Sequence, residues 1–322
     1  MTIPARAHFC WIGSRLPWAY VFAILSAAER GGLDDIVLHH TDVLEAGAEL
    51  RALTSAAGVR LSLIDPIELI TQAGNPLGIA TELTAIYRRL DSPVARTNVL
   101  RAALLYLQGG IYLDLDTITT DSLLPLLNVR QFVGCEYIVW PGFVRASRSP
   151  ALWARSLALD LLRKPMRRVP HGWKLFRHVE RFYFRGVNGA VLGAEAGSSL
   201  LSDYLRAMAA VPLERQTRPH ALGTNLLQDV VSRYQSDDLV IEAPHVFYPL
   251  PPEISEHWFR IHRNVRLDAV LSTQTRVVHW YASVRTKSRV ALIDPAYVRE
   301  NQQHQLYSAL VCANIRNLPE TA

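Results

Sequence analysis

Cysteine, lysine and long apolar runs are scarce in this chain of 322 residues. Its three cysteines, Cys10, Cys135 and Cys312, are widely spaced and form no C-x-x-C pair, which argues against a disulfide framework and against a thiolate zinc site. We therefore expect reduced cysteines and a cytoplasmic location. The sequence has no run of about 18 apolar residues, so no membrane-spanning helix is expected. Its first residues also lack the charged and apolar pattern of a secretory signal.

The rest of the composition is that of an ordinary globular protein. Hydrophobic residues make up 49% of the sequence and charged residues 20%. These values exclude an intrinsically disordered chain, a collagen-like repeat and a disulfide-stapled miniprotein. The length is enough for a sizeable hydrophobic core, and it favours a single domain over residues 1–322.

Positive charge is concentrated in one segment. The formal net charge of the chain is +5, whereas the segment between Arg163 and Arg185 alone carries +7, from eight basic residues and the single acid Glu180. Aromatic residues are interleaved with these charges: Trp173, Phe176, Phe182, Tyr183 and Phe184. Two interpretations stay open: a peripheral contact with anionic lipid headgroups or a phosphate-bearing lipid, and a solvated amphipathic helix packed on the core. No matching basic groove is found elsewhere, so no nucleic-acid partner is expected.

Apolar runs and amphipathic segments alternate along the chain. Strands are predicted at residues 7–11, 35–40, 59–64, 111–115, 131–137, 187–192 and 276–281. Helices are predicted at residues 18–30, 45–57, 81–90, 93–108, 198–210, 222–234 and 296–317. This alternation is typical of an α/β fold, in which helices flank a central and mostly parallel sheet.

Two aspartates separated by one residue follow the apolar run that begins at Ile111. If they lie on a strand, Asp114 and Asp116 point to one side of the sheet, and Leu113 and Leu115 point to the other. At the carboxyl end of a strand in an open α/β sheet, such a pair suits a hard divalent cation, which could in turn hold a diphosphate. Without further context the pair could equally be two solvated acids, because D-x-D triplets are common.

The residues around these aspartates resemble a known family. The run from Ala95 to Arg101, followed by the run from Gly109 to Asp116, is similar to the central block of the DXD-motif sugar-binding glycosyltransferases. That group includes initiating mannosyltransferase-like and capsular polysaccharide enzymes and the glucosylating domain of the large clostridial toxins. Three further segments resemble the family in the same order: His8-Phe9-Cys10-Trp11-Ile12-Gly13, Val187-Asn188-Gly189-Ala190, and Val278-His279-Trp280 with Ser283.

The resemblance implies a GT-A fold and a retaining transfer of a hexose-type sugar from a nucleotide-sugar donor. It also implies a divalent cation, Mn²⁺ or Mg²⁺. A UDP-sugar is favoured over GDP-mannose, because the opening His-Phe-x-Trp-Ile-Gly looks closest to members that use UDP-glucose. The acceptor stays open among a growing polysaccharide, a lipid-linked glycan and a protein. We expect a helical insertion on the acceptor side at about residues 141–186, and a location in the cytoplasm with a peripheral contact at the inner membrane face.

The resemblance also implies a role for individual residues. The cation would be bound by Asp114, Asp116 and His279. The implied catalytic residues are Asp116, Arg101 and Asn98. The implied donor-binding residues are His8, Trp11, Ile12, Gly13, Arg101, Tyr112, Asp114, Asn188, Ser283 and Lys287. Among these, Trp11 would stack on the nucleotide base.

Two positions depart from the family's pattern. The family usually has Asp where this chain has Asn98, at a position expected to contact the transferred sugar, and this leaves the identity of the sugar open. A Trp is also expected after the terminal Ser283, where this chain has Val284. Arg101 lies three residues after Asn98 on the same helical face, so both side chains could reach one polar ligand.

Alternative functions stay open at this point. The run from Leu113 to Thr117 also fits the D-x-D-x-T motif of haloacid-dehalogenase-like phosphatases, in which the first Asp is the nucleophile. That motif normally opens its domain, whereas three predicted strands precede it here, and no convincing downstream Lys and acid are found. A third hypothesis is a non-catalytic nucleotide-sugar or glycan-binding protein. At the level of single residues, Trp11 could be a core aromatic and His279 a hydrogen-bonded core histidine.

Overall fold

The apolar runs form the strands of a central sheet in a computed structural model that describes residues 2–218, 221–284 and 286–319. The strands of these residues are β1 (Arg6–Trp11), β2 (Asp35–His40), β3 (Val59–Leu63), β4 (Gly110–Leu113), β5 (Thr117–Thr119), β6 (Gln131–Ile138), β7 (Phe184–Ala194), β8 (Leu239–Glu242) and β9 (Val277–His279). The central sheet has the order β3-β2-β1-β4-β7-β6-β8, and β5 pairs with β9 in a second, two-stranded sheet.

The central sheet is mostly parallel. Strand β1 runs parallel to β2 and β4, β2 to β3, and β6 to β8, whereas β7 is antiparallel to both of its neighbours, β4 and β6. All strands of this sheet except β7 therefore end at the same edge. This arrangement confirms the predicted α/β class, and it makes that edge the place where ligands bind in such sheets.

Helices cover both faces of the sheet. They are α1 (Trp18–Arg30), α2 (Ala48–Ser55), α3 (Pro66–Gly74), α4 (Ala80–Arg89), α5 (Pro93–Gln108), α6 (Gly142–Ala146), α7 (Pro150–Arg168), α8 (Gly172–Val179), α9 (Ser199–Ala209), α10 (Leu213–Gln216), α11 (Thr224–Arg233), α12 (Pro244–Phe247), α13 (Lys287–Val290), α14 (Pro295–Asn301) and α15 (Leu306–Asn314). Short 3₁₀ helices lie at Asn75–Leu77, Leu124–Asn128, Glu180–Phe182, Ser255–Phe259 and Leu267–Ala269. None of the described helices is both long and apolar enough to cross a bilayer.

Successive side chains of each strand point to opposite faces of the sheet, so the core consists of two layers, one on each face. In β1, Ala7 and Phe9 pack into the layer that contains α1, whereas Cys10 packs into the layer that contains α5. A parallel strand covered on both faces has this pattern, because successive side chains point to opposite sides of the sheet. The sequence thus buries β1 from Ala7 to Cys10 and leaves its carboxyl end, at Trp11, near the open edge.

Helix α5 carries two of the predicted site residues, and its ends are fixed by local sequence. Its first turn holds Pro93, and the Ser92 side chain accepts a hydrogen bond from the Ala95 N–H, as an N-cap residue does. The helix stops at Gly109, whose φ of 62° lies in the left-handed region. A side chain there would also meet the Ala196 nitrogen at 2.7 Å, so only glycine fits this turn into β4.

Several details differ from the sequence predictions, and strands β5 and β8 were not predicted. The strand predicted at residues 111–115 ends at Leu113, so the aspartates follow it in a turn. Helix α3 was not predicted, although Asp65 caps it and Pro66 begins it. The terminal helix predicted at about 296–317 is two helices, α14 and α15. Between them Gln305 is extended and pairs with Ile261, a tertiary contact that outweighs local helix propensity.

The segment predicted as a helical insertion lies between β6 and β7. Helices α6, α7 and α8 and the 3₁₀ helix Glu180–Phe182 fall within residues 141–186. Arg163 of α7 pairs with Asp160 and Glu253, and Arg167 pairs with Glu256, so part of the basic charge is neutralised inside the molecule. The acceptor-side role of this segment stays a prediction.

Candidate donor and metal site

A turn after β4 presents the two aspartates at the open edge of the sheet. The Asp114 N–H donates to the carbonyl oxygen of Ala190 on β7 over 2.8 Å, and the Thr117 hydroxyl donates to the Asp114 carbonyl oxygen over 2.7 Å. These two bonds fix the turn between β4 and β5. Asp114 and Asp116 therefore converge because the turn brings them together, and not because of alternation along a strand.

Asp116 is held by residues that are far away in the sequence. The pairing of β5 with β9 sets Thr117 opposite His279, and the His279 Nε2 lies 2.9 Å from Asp116 Oδ1. The Ala282 N–H donates to Asp116 Oδ2 over 2.7 Å, and the Trp280 N–H donates to the Asp116 carbonyl oxygen over 3.0 Å. Burial alone would raise the pKa of the Asp116 carboxyl, but His279 and the Ala282 N–H outweigh it and lower that pKa.

Asp114 faces a buried arginine. The Nη1 of Arg101 lies 3.4 Å from Asp114 Oδ1 and also donates to the Gly189 carbonyl oxygen, while its Nη2 donates to Asn98 Oδ1 over 2.8 Å. The guanidinium carbon lies 5.0 Å from the centre of the Tyr112 ring, which supports it from below. Burial raises the pKa of the Asp114 carboxyl, and the positive charge of Arg101 limits the rise. The arginine is thus fixed in place by four neighbours before any ligand binds.

Asp114, Asp116 and His279 form a compact set of metal-binding groups. One ligand atom from each residue lies within 4.8 Å of the other two, and no other such group of three occurs among the residues that the structure describes. The Nδ1 of His279 is buried and has no hydrogen-bond partner there. Two carboxylates and an imidazole are a donor set for a divalent metal such as Mn²⁺. The residues therefore fit the cation that the resemblance implies.

Trp11 lies at the same edge as the acids. It ends β1, which is parallel and adjacent to β4, and its ring centre lies 5.3 Å from that of Tyr20. The Tyr20 ring lies in turn 6.5 Å from Trp280, the residue after His279. The indole nitrogen of Trp11 is buried without a partner among the described residues. An aromatic row thus joins the end of β1 to the metal-binding group.

The residues that follow Trp11 form the corner beside it. Ile12 packs against the α5 side of the core. Gly13 has a φ of 124°, a conformation that side chains rarely adopt, and its N–H donates to the Asp42 carboxylate over 2.9 Å. Asp42 thus binds the backbone of this corner, and the lack of a side chain at Gly13 keeps the backbone open next to the indole ring.

Some predicted site residues are not brought into contact with this group. His8 is fully buried, with its Nδ1 2.9 Å from His39 Nε2 and its Nε2 2.8 Å from the Gly109 carbonyl oxygen. Burial lowers the pKa of His8 to about 4, so the ring is neutral and supports the turn into β4. Ser283 and Lys287 are exposed on the segment after β9 and make no hydrogen bond or ion pair with the acids within the described residues.

Asn188 lies at the back of the site and leads to residues that the sequence analysis missed. Its Oδ1 accepts from the Ala190 N–H over 2.8 Å, and its side chain bonds to Glu136. Glu136 also accepts from the Tyr281 hydroxyl over 2.6 Å. Tyr281 has a φ of 59°, unusual for a bulky residue, and its ring lies 4.0 Å from that of His279. Glu136 thus joins β6, β7 and the segment after β9.

The ionisation of Glu136 is perturbed. Its side chain is almost wholly buried, and burial raises the pKa of its carboxyl to about 7, in spite of the hydrogen bond from Tyr281. A single acid inside the apolar run Gln131–Ile138 was the one signal in the sequence that could have identified it. The partners of Glu136, by contrast, could not be predicted from spacing.

A family model matches the segment of the sequence that forms the centre of this site. Residues 59–133, less than a quarter of the chain, match the family model described as the glycosyltransferase sugar-binding region containing a DXD motif. The matched segment contains Asn98, Arg101, Tyr112, Asp114 and Asp116. Among curated proteins, none matches this chain.

Several solved glycosyltransferase structures are similar to this chain in the path of the backbone. The PaToxG glycosyltransferase is 11% identical, with 72% of this chain and 69% of that chain covered and a TM-score of 0.41. The WbbM bifunctional glycosyltransferase is 12% identical, with 99% and 50% covered and a TM-score of 0.48. The galactosyltransferase LgtC, solved with donor and acceptor sugar analogues, is 13% identical, with 89% and 94% covered and a TM-score of 0.41. At these values the similarities assign neither donor nor acceptor.

The family match decides between the alternatives for the D-x-D motif. It assigns Asp114 and Asp116 to a sugar-binding region and gives no support to the phosphatase hypothesis. The mostly parallel sheet flanked by helices agrees with the α/β architecture that a GT-A fold requires. Residues 59–133 therefore carry the DXD-containing sugar-binding region of glycosyltransferases, as the resemblance of the motifs predicted.

Proposed function

We propose that this chain is a retaining, metal-dependent hexosyltransferase. Its donor is a nucleotide sugar, with a UDP-sugar favoured over GDP-mannose, and its acceptor is a glycan, a lipid-linked glycan or a protein. The observation that carries the proposal is the convergence of Asp114, Asp116 and His279 at the open sheet edge, beside Arg101 and Trp11. Motifs separated by more than 160 residues in the sequence meet there, as a donor site requires.

The metal-binding group fits the charge that develops during transfer. When the bond between the sugar and the phosphate breaks, negative charge builds up on the departing diphosphate. A divalent cation, Mn²⁺ or Mg²⁺, held by Asp114, Asp116 and His279 would supply the compensating positive charge. The Ala282 N–H already orients the Asp116 carboxylate, whereas the hydrogen bond between Asp116 and His279 would give way to the cation.

Arg101 and Asn98 are proposed to contact the donor sugar. Arg101 is held by Asp114 and the Gly189 carbonyl, so its orientation is set before the donor arrives. Asn98 uses its Oδ1 for Arg101, while its amide nitrogen makes no hydrogen bond to the described residues. That N–H₂ group can donate to a sugar hydroxyl, whereas an ionised Asp can only accept. The departure at Asn98 therefore bears on which sugar is bound.

The nucleotide is proposed to bind along the end of β1. The Trp11 ring would stack on the base, next to Ile12 and Gly13, while His8 supports this strand from within the core. Ser283 and Lys287 lie on the segment after β9, whose beginning is fixed to Asp116, and their exposed side chains would meet the diphosphate when donor binds.

Retention is proposed to occur without a protein nucleophile. Asp114 and Asp116 are assigned to the metal, and the remaining nearby acid, Glu136, is buried behind Tyr281 and Asn188. In this proposal the acceptor hydroxyl attacks from the face on which the diphosphate leaves. The C1–O bond to phosphate breaks while the new C1–O bond forms, and the departing phosphate oxygen takes the proton of the hydroxyl.

A peripheral contact with an anionic membrane belongs to the same proposal. The outward face of α7 exposes Leu157 and Leu161 one turn apart, with Arg168 near its end, although Arg163 and Arg167 are paired internally. Sedimentation with phosphatidylglycerol vesicles tests it. The wild type should sediment, and Leu157→Gln with Leu161→Gln should not. Equal sedimentation of both proteins, or none of the wild type, contradicts the contact.

The donor reaction is tested by release of nucleotide from a panel of UDP- and GDP-sugars with Mn²⁺. We expect one donor to be used, release to stop with EDTA, and Asp114→Asn and Asp116→Asn to be inactive. Asp203→Asn, which changes an exposed aspartate outside the site, serves as the matched control. Donor binding without release would instead favour the non-catalytic binding protein that Asn98 makes conceivable. Phosphatase activity alone would overturn the proposal.

A further inference from the structure

A concavity lies near the carboxyl end of β6, with Tyr248 in its wall. It has a volume of about 270 Å³, and Tyr137, Arg177, Glu180, His245, Tyr248 and Ser272 contribute to its wall. Tyr137 lies near the carboxyl end of β6, and the 3₁₀ helix that contains Glu180 leads directly into β7. Because β7 is antiparallel to its neighbours, its start lies at the edge where β4 and β6 end. The concavity and the two aspartates therefore share one edge of the sheet.

One residue of the wall, Tyr248, also lies close to the metal-binding group. Tyr248 is buried, and its ring centre lies 5.9 Å from that of His279 and 6.4 Å from that of Tyr281. The Tyr248 hydroxyl donates to the Asn188 carbonyl oxygen over 3.3 Å. Tyr248 therefore connects the wall of the concavity to the backbone of β7 and to the ring of His279.

The polar groups of the wall favour a neutral ligand with hydroxyl groups. Within the described part of the chain, the half-buried Glu180 carboxylate makes no hydrogen bond and no ion pair, so its oxygens are free to accept. Arg177, by contrast, is already engaged, because it donates to the carbonyl oxygens of Ala269, over 2.7 Å, and Val270. The positive charge of Arg177 partly offsets the negative charge of the Glu180 carboxylate. A phosphate group would nevertheless meet this carboxylate at short range, which is repulsive.

The remaining wall residues agree with this chemistry. His245 Nε2 lies 2.6 Å from Gln274 Oε1, which orients the imidazole. The Ser272 hydroxyl and the half-buried Tyr137 ring add a further polar group and a flat surface. A few convergent polar groups around aromatic side chains are typical of a small-molecule site, and the volume is suited to a ligand the size of one sugar ring.

We propose that this concavity is the acceptor subsite and that it binds a neutral sugar residue, with the Glu180 carboxylate accepting hydrogen bonds from its hydroxyl groups. The proposal rests on the proposed function and narrows it, because an acceptor phosphate or diphosphate would have to stay outside the concavity. It also gives residues 141–186 a role, since Arg177 and Glu180 belong to that segment.

The test compares acceptors and variants in the same assay. With Mn²⁺ and the donor that the panel identifies, nucleotide release is measured without acceptor and with lactose, cellobiose or glucose 6-phosphate. We expect a neutral disaccharide to stimulate release and glucose 6-phosphate to have no effect. In Glu180→Gln the KM for the stimulating sugar should rise about tenfold, because a charge-assisted hydrogen bond is lost. The exposed Glu214→Gln should keep the wild-type KM, and thermal unfolding checks that both variants are folded.

A binding measurement separates this proposal from the donor reaction. Saturation-transfer difference NMR of lactose and cellobiose needs no donor and no turnover. If either sugar binds in a Glu180-dependent way while no donor is used, the concavity is a glycan site and the proposed function is wrong. The acceptor assignment is overturned if Glu180→Gln keeps the wild-type KM, if only glucose 6-phosphate stimulates, or if neither disaccharide stimulates or binds.

Discussion

Replacing Glu136 by glutamine removes a buried carboxyl group whose ionisation opposes folding. The pKa of this group is raised by burial from 4.5 to about 7 in the folded chain, and the Tyr281 hydroxyl and the Asn188 side chain are its hydrogen-bond partners. Between these two pH values the folded protein holds a proton that the unfolded chain has released. The contribution of Glu136 to the free energy of unfolding is therefore full below pH 4.5 and is lost as the pH rises through about 7.

The size of this effect follows from the same two values. The interval between 4.5 and about 7 corresponds to about 3 kcal/mol, as an upper estimate for a side chain that is almost wholly buried. Glutamine keeps the shape of the side chain and cannot ionise. Relative to the wild type, Glu136→Gln should accordingly gain up to about 3 kcal/mol of stability on going from pH 5 to pH 8.

Urea unfolding followed by circular dichroism at pH 5 and pH 8 measures this difference. Glu214→Gln is the matched control, because Glu214 is exposed and its replacement should shift the unfolding midpoint equally at both pH values. Titrating groups that do not interact with Glu136 cancel in the comparison, whereas His279, whose pKa Glu136 helps to raise, does not. If the stability difference between Glu136→Gln and the wild type is the same at pH 5 and pH 8, the reasoning about burial of this carboxyl group is refuted.

Three further predictions follow from the site and its support. Burial lowers the pKa of His8 to about 4 and that of His39 to about 3, so the free energy of unfolding should fall as the pH drops from 6.5 towards 4. The fall should be smaller in His39→Leu than in the wild type. Urea unfolding at several pH values measures it, and an equal fall in both proteins contradicts the prediction. Arg101→Lys loses the paired contacts to Asn98 and Gly189, so nucleotide release should fall at least about tenfold, and an unchanged kcat/KM speaks against the role of Arg101. Trp11→Ala should raise the KM for the donor about tenfold while kcat changes little, as donor titration would show; an unchanged KM assigns Trp11 to the core instead.

The sequence predicted the elements of the site better than their arrangement. The D-x-D motif and the late histidine were identified through family resemblance, but their contact depends on the pairing of β5 with β9, two strands of three residues each. Strands this short carry almost no periodic signal. The expectation that the acids converge was correct, yet the reason given for it was not, because β4 ends at Leu113 and a turn brings Asp114 and Asp116 together.

Burial accounts for most of what the sequence could not reveal. His8 belongs to a motif that suggests donor binding, but a central parallel strand covered on both faces leaves its ring no access to the edge. Glu136 looks like an isolated acid in an apolar strand, and its partners Asn188 and Tyr281 come from distant segments. The positive φ of Tyr281 is set by these tertiary contacts and has no local signature in the sequence.

The basic segment shows the same limit for surface charge. Its count of charges suggested a positive face, but the carboxylates of Glu253 and Glu256, about ninety residues later, pair with Arg163 and Arg167. The sequence also did not indicate which apolar residues of α7 are exposed. Ser156 and Leu159 are buried, whereas Leu157 and Leu161, which lie on another face of the helix, are exposed. Which of these faces packs inward is decided by the rest of the fold.

Binding of Mn²⁺ tests the central claim most directly. Electron paramagnetic resonance can follow the loss of free Mn²⁺ as the metal-free protein is added, with and without UDP, for the wild type, Asp116→Asn and the control Asp203→Asn. We expect the wild type and the control to bind one ion, more tightly with UDP, and Asp116→Asn to bind at least about tenfold more weakly. Equal Mn²⁺ affinity in all three proteins would show that Asp114, Asp116 and His279 are not the metal site.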